Sequence, residues 1–164
     1  MTLPMTLEPR ARLPLRRRPL PMLAVAASRL LTRLSPHALE RVLRRASRGA
    51  RPATHAEALA ARSDVVSVSR RAAGPYCLER SIAAALLARM RGGWPDWVSG
   101  VSLMPFAAHA WIEVDGRAVG ESMRLDAFHK NIVVSRAPRT ERSGGRHDHP
   151  SESRDGRTPW TPSA

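Results

Sequence analysis

Cys77 is the only cysteine in the chain, and it stands where a helix should begin, just after the breaker run Gly74-Pro75-Tyr76. A thiol is an effective nucleophile as its anion, and the free N–H groups and dipole of a helix start favour that anion. The same N–H groups suit the oxyanion formed when sulfur attacks a carbonyl, with the backbone N–H of Cys77 as the first donor. A base must take the thiol proton and return it to the leaving amine, and His109 is the candidate. It lies 32 positions on (109 − 77), in a stretch where His109, Trp111 and Glu113 point one way and Ala110, Ile112 and Val114 the other. One side is chemical and the other has the composition of a core. Taken singly, a lone cysteine is a small buried apolar residue and a strand histidine is structural. Only the pair points to covalent catalysis.

Two elements must position that pair: a helix starting at Cys77 and a sheet carrying His109. The helix shows Leu78, Ile82, Ala85, Leu86 and Met90 on one face and closes at Gly92-Gly93. Beyond Trp94-Pro95-Asp96 the period changes to alternation, which predicts strands over Val98 to Leu103, Ala108 to Val114, Ala118 to Glu121 and Ile132 to Val134. Upstream, Leu23, Ala27, Leu30 and Leu34 mark one helix. Ser35-Pro36 starts a second, lined by Leu39, Val42, Leu43 and Ala46 and ended by Gly49. Thr54 and Glu57 form a capping box for a third, with Leu59, Ala60 and Val66 on its buried face. Helices first and an antiparallel sheet second make the class α+β. The expected organisation is a flexible basic arm over 1–18, a helical segment over 19–54, a core over 55–136 and a disordered tail over 137–164.

The joined segments resemble the leader peptidases of lasso-peptide biosynthesis, a transglutaminase-like branch of the papain-type cysteine peptidases. Cys77-Leu78-Glu79-Arg80-Ser81 is similar to the nucleophile segment of that family. Pro105-Phe106-Ala107-Ala108-His109-Ala110-Trp111-Ile112-Glu113-Val114-Asp115-Gly116 is similar to its histidine strand. The resemblance covers residues 55 to 135. It implies a transglutaminase-like fold and hydrolysis of one peptide bond in a ribosomally made precursor through an acyl-enzyme, with no cofactor. The implied partners are the leader of that precursor peptide, a leader-recognition protein and a lasso cyclase. A recognition domain of the fused kind needs a three-stranded sheet, and residues 1–54 show only helix patterns, so the stand-alone form is expected.

The family also implies an acid about a dozen positions after the histidine to orient it, commonly aspartate. Here that position holds Glu121 (121 − 109 = 12), whose reach is longer by one methylene. Hairpin geometry bears on the assignment. A two-residue loop, Asp115-Gly116, places Glu121 opposite Ala110 on the wrong side of the sheet. A three-residue loop, Val114-Asp115-Gly116 with Gly116 left-handed in a bulge, places it opposite His109, and this form is the one expected. Asp115 is the fallback orienter. Trp111 either shields the site or is simply a half-buried sheet tryptophan.

The remaining composition narrows the alternatives. With 27 basic against 14 acidic residues the formal charge is +13, which attracts nucleic acid, anionic membrane or acidic protein. Lys130 is the only lysine, and the arginines are scattered without interleaved aromatics, so no stacking surface for bases is expected and no nucleic-acid partner is assigned. A basic binding module with an inert Cys77 remains the rival from another class, and a transglutaminase-type acyl transferase the rival from the same chemistry. One cysteine excludes an intramolecular disulfide. Arg16-Arg17-Arg18 before Leu20 to Ala27 resembles an export signal, but Arg29 and Arg33 follow directly and the helix pattern continues, so a cytoplasmic protein is expected. No run approaches the roughly 20 apolar residues of a membrane span. His37, His55, His129, His147 and His149 lack ligand spacing, and no metal site is assigned.

Overall fold

A computed structural model describes residues 13–136; most of the basic arm and the whole polar tail, with His147 and His149, lie outside the described residues. Leu15–Arg17 form a single 3-10 turn that leads into α1 (Pro19–Leu31), with proline at its first position. Next come α2 (Pro36–Ser47), β1 (Arg51–Pro52), α3 (His55–Val68) and α4 (Cys77–Met90). The strands β2 (Gly93–Trp94), β3 (Asp96–Leu103), β4 (Phe106–Val114), β5 (Arg117–Ala118) and β6 (His129–Val134) complete an α+β fold. The predicted starts hold where a side chain caps the backbone. Ser35 accepts from Ala38 N–H, and Thr54 and Glu57 form the reciprocal capping box.

The buried faces of two helices differ from the sequence expectation. Leu23, Leu30 and Leu34, which mark α1, are exposed, and its buried residues are Pro21, Ala24, Val25 and Ser28. In α3 Leu59 and Ala60 face outward, while Ala58, Ala61, Arg62, Val65 and Val66 are buried. Both helices pack on α4 through small residues, forming a cluster of Ala24, Ala61, Val65, Ala83, Leu87 and Ala88. Small side chains let helix axes approach closely, and here that close approach outweighs the larger area a leucine stripe would bury. The helix α4 is covered on nearly every side, with Glu79 to Ala85, Leu87 and Ala88 all buried. A helix so enclosed serves as the centre of the domain.

The main sheet has the order β5-β4-β3-β6, antiparallel throughout, while β1 and β2 form a separate parallel pair. Ile82, Ala84 and Ala85 of α4 meet Trp97, Ala110, Ile112 and Val134 of the sheet and Val119 just beyond β5, joined by Leu39 and Leu43 of α2. Trp97 Nε1 donates to Ser81 Oγ at 3.0 Å, pinning the helix to the strand across that layer. At the far end of α4, Arg89 Nε donates to Ala46 O at 2.7 Å, satisfying a carbonyl at the end of α2.

The β4–β5 hairpin corrects one expectation. Val114 pairs with Arg117, so the loop is the two-residue Asp115-Gly116, with φ of 51° and 74°. That is the twist-matched hairpin turn, and it displaces the expected three-residue loop. The predicted strand to Glu121 stops at Ala118, with Val119 N–H to Ile112 O (2.9 Å) as the last bond to β4. Gly120 then takes φ +67° and turns the chain out of register, a conformation that costs a glycine little.

Candidate active site

Cys77 is the first residue of α4 and is partly buried. The loop before it is tied down at several points. Arg80 Nη1 donates to Ala72 O at 3.2 Å and to Gly74 O at 3.0 Å, and Ala72 N–H donates to Ser69 Oγ at 3.2 Å. The buried Glu79 carboxylate binds Arg29 of α1 at 3.1 Å and Arg71 of the loop at 3.3 Å, and Arg71 also lies over the Tyr76 ring. The Cys77 N–H, expected as an oxyanion donor, is instead given to Pro75 O at 3.0 Å. It closes a tight turn in which Tyr76 takes φ −86° and ψ 61°.

The thiol meets the sheet at an edge of β4. Ile112 O accepts from Val119 on the β5 side, so by strand alternation the polar groups of Ala110 point the same way. Because β5 ends after two residues, that edge is open at Ala110, whose backbone N–H favours the thiolate of Cys77. The His109 imidazole acts on the same thiol and also favours its anion. Its Nε2 lies 3.0 Å from Glu121 Oε2, which leaves Nδ1 as the nitrogen for the thiol. The imidazole is stacked on Trp111, with centroids 5.8 Å apart and planes 16° apart, and Phe128 is tilted against it at 6.0 Å.

Glu121 is held by more than the histidine. Its Oε1 accepts from Arg62 Nε at 3.3 Å and Nη2 at 3.1 Å, and its Oε2 lies 3.7 Å from Arg80 Nη2. These three side chains are no more than 8% exposed. On the same face Trp111 Nε1 donates to Glu113 Oε1 at 2.7 Å, and Lys130 Nζ pairs with Glu113 Oε2 at 2.7 Å. A cavity of about 460 Å³, walled by Trp111, Glu121, Phe128 and Lys130, opens beside this cluster.

The electrostatics favour an ion pair. Burial opposes ionisation of Cys77, but hydrogen bonds from His109 and Ala110 N–H, with the charges of His109 and Arg80, bring the thiol below its ordinary value. Burial likewise opposes the imidazolium, yet hydrogen bonds to Cys77 and Glu121 push His109 up to about 9. Glu121 loses proton affinity despite its burial, because His109, Arg62 and Arg80 all stabilise the carboxylate. A thiolate, an imidazolium and a carboxylate in series can attack a carbonyl and protonate the group that leaves.

Cys77, His109 and Glu121 therefore come together, and Asp115 does not. It is exposed in the turn, six residues along β4 from His109, or about 20 Å at the rise of a strand. Glu121 reaches the histidine even with the two-residue loop because Gly120 breaks the register before it. Sequence reasoning missed Arg62, Phe128 and the room made by Gly100. A Cβ on Gly100 would stand 2.8 Å from His129 O and 3.0 Å from the Trp111 ring. Arg80 carried a signal: three residues after Cys77, it shares the nucleophile's side of the helix. Arg62 carried none. Among the described residues no group of three or more His, Cys, Asp or Glu is arranged to hold a metal ion, and no helix is long and apolar enough to cross a membrane.

No curated protein and no solved structure matches the chain. The family model described as the transglutaminase-like superfamily matches residues 22–133, a span running from α1 into β6 and containing Cys77, His109 and Glu121. The chain belongs to the transglutaminase-like superfamily.

Proposed function

We propose that this protein is a cysteine peptidase that removes the leader from a ribosomally made lasso-peptide precursor. Its superfamily fits both peptidases and acyl transferases. The observation that carries the reading is Cys77 at a helix start, its thiolate favoured by a His109 whose Nε2 meets Glu121 at 3.0 Å. In this reading the Cys77 thiolate attacks the scissile carbonyl, and the electrons move onto the carbonyl oxygen. Collapse of that intermediate breaks the C–N bond as His109 gives its proton to the departing amine. Water, deprotonated by the now neutral His109, then hydrolyses the thioester and frees Cys77. Glu121 fixes the imidazole orientation and stabilises its charged form.

The choice of a lasso leader as substrate, a cytoplasmic setting, and work beside a separate recognition protein and a cyclase rest on the likeness of the segments at Cys77–Ser81 and Pro105–Gly116 to that family. The test is a mass measurement on a lasso precursor incubated with wild type or Cys77→Ala, with and without the recognition protein. The expected result is release of leader and core by the wild type alone, at a rate raised by the recognition protein. Leader removal that persists in the alanine variant would overturn the mechanism. Acyl transfer shares the acyl-enzyme. It would appear as a product carrying an added amine in place of water.

A further inference from the structure

We propose that Arg62 and Arg80 are positioning residues of this site: two buried guanidiniums that hold the Glu121 carboxylate against His109, while Arg80 also anchors the loop that delivers Cys77. The inference rests on the peptidase reading above and adds two side chains to it.

Glutamate has one more rotatable bond than aspartate, so a carboxylate at this position needs external restraint to orient a histidine. The restraint is visible on both oxygens. Arg62, from α3, takes Oε1 through two nitrogens, at 3.3 and 3.1 Å. Arg80, from α4, stands 3.7 Å from Oε2, the oxygen that faces His109 Nε2 at 3.0 Å. The other end of the same guanidinium, Nη1, donates to Ala72 O and Gly74 O. One side chain thus spans the nucleophile loop and the orienting acid.

Buried ion pairs add little net stability over apolar packing of the same volume, so the consequence of this cluster is geometric and electrostatic. Two cations beside one carboxylate keep Glu121 ionised and a poor base, so the proton it faces stays on His109. Arg80 also favours the thiolate of Cys77. Arg80 thus acts on both anions of the site, more directly on Glu121 than on Cys77.

The experiment uses the full chain and its single thiol. The alkylation rate of Cys77 with iodoacetamide is followed against pH for wild type, Arg62→Met, Arg80→Met and Arg80→Lys, with circular dichroism and thermal melts on each. Cleavage of precursor is measured alongside. Loss of a positive charge raises the proton affinity of every nearby group. Arg80→Met should therefore move the imidazole limb to higher pH, by about one unit for a charge at this range, and the thiol limb in the same direction by less. Arg62→Met, which lies on the far oxygen, should move mainly the imidazole limb. Arg80→Lys keeps the charge but cannot reach two carbonyls and a carboxylate together. Its limbs should stay while cleavage falls about tenfold.

Folded variants whose limbs and cleavage rates both match the wild type would overturn the proposal. If Arg80→Met fails to fold, Arg62→Met and Arg80→Lys decide it by the same readouts. The two readings fail separately, because alkylation needs no peptide. Limbs that move as stated in a protein that cleaves no precursor would leave the arginine assignment and remove the peptidase; cleavage with unmoved limbs would do the reverse.

Discussion

On the side of β4 turned toward α4, Ala110 and Ile112 are buried among Ile82, Ala85, Trp97 and Val134. On the other side His109, Trp111 and Glu113 are also well covered, with the His109 ring 10% exposed, but each has a polar or ionic partner. Alternate residues of one strand thus serve two purposes. The first side gains from the area it removes from water and asks little of geometry beyond fit. The second gains little net stability from its buried charges, and its value lies in where they point. Substitutions on the two sides should therefore separate: those on the core side cost stability, and those on the other side cost chemistry first.

The largest separation is expected from His109→Gln. Glutamine keeps a polar group beside Glu121 but cannot exchange the proton, so cleavage should fall by about 10³-fold, within the range for a general acid–base residue. The thermal midpoint should move little by comparison. The pH dependence carries a sign. In the wild type the thiol ionises below its ordinary value and the imidazolium persists to about 9, so the reactive pair exists between those limits and alkylation of Cys77 should hold a plateau there. His109→Gln removes a hydrogen bond and a charge that favour the thiolate, so the acidic limb should move upward. A limb that stays in place would show that the histidine does not control the sulfur.

Ile112→Ala tests the other side. Ile112 is 1% exposed, and truncating such a side chain costs about 2 to 5 kcal/mol, lost area plus cavity. Denaturant unfolding should show that loss, while the alkylation profile of the fraction that remains folded keeps its limbs. A profile that shifts together with stability would mean that the two sides of the strand are not independent.

The same contrast explains what could be read from the chain. Features set by near neighbours were legible: the Thr54–Glu57 capping box, Ser35-Pro36 before α2, the start of α4 at Cys77 and the alternation of β4 all depend on residues a few positions apart. The rotation of α3 was not. Leu59 looks like a core residue, but the side that is buried packs small residues on α4 and carries Arg62 to a glutamate 59 positions away. The hairpin shows a compensation of the same kind. The turn has two residues where three are expected, but the nearness of Glu121 to His109 survives because Gly120 undoes the register that the turn imposes. That glycine also leaves space for Arg62, whose Cδ would lie 3.0 Å from an added Cβ. No local pattern encodes a relation among α3, α4 and the segment after β5.

A smaller effect, on the boundary between the two sides, is expected from Gly100→Ala. Gly100 pairs with His109, and an added Cβ would meet His129 O at 2.8 Å and the Trp111 ring at 3.0 Å. Backbone does not yield cheaply, so β6 or Trp111 must shift, at a cost of about 1 to 3 kcal/mol. Because Trp111 is stacked on His109, part of that shift should reach the imidazole, and cleavage should fall more than the loss of stability alone accounts for. An unchanged rate in the folded fraction would show that Trp111 is packing and nothing more.

The smallest effect should come from the far end of the same strand. Asp115 has a carboxylate near the histidine in sequence, but it sits in the turn at φ 51°, a conformation asparagine adopts as readily as aspartate. Asp115→Asn therefore keeps the turn and removes only charge. That charge acts on Asp96, which burial raises above its ordinary value and which Glu113 and Asp115 raise further by repulsion. Relieving the repulsion lowers the proton affinity of Asp96, so at neutral pH the folded state gains slightly, by less than about 0.5 kcal/mol at such an exposed position. Cleavage and the alkylation profile should match the wild type. A clear loss of cleavage would mean that the acid orienting His109 lies at the turn, and that the 3.0 Å contact with Glu121 is not the working one.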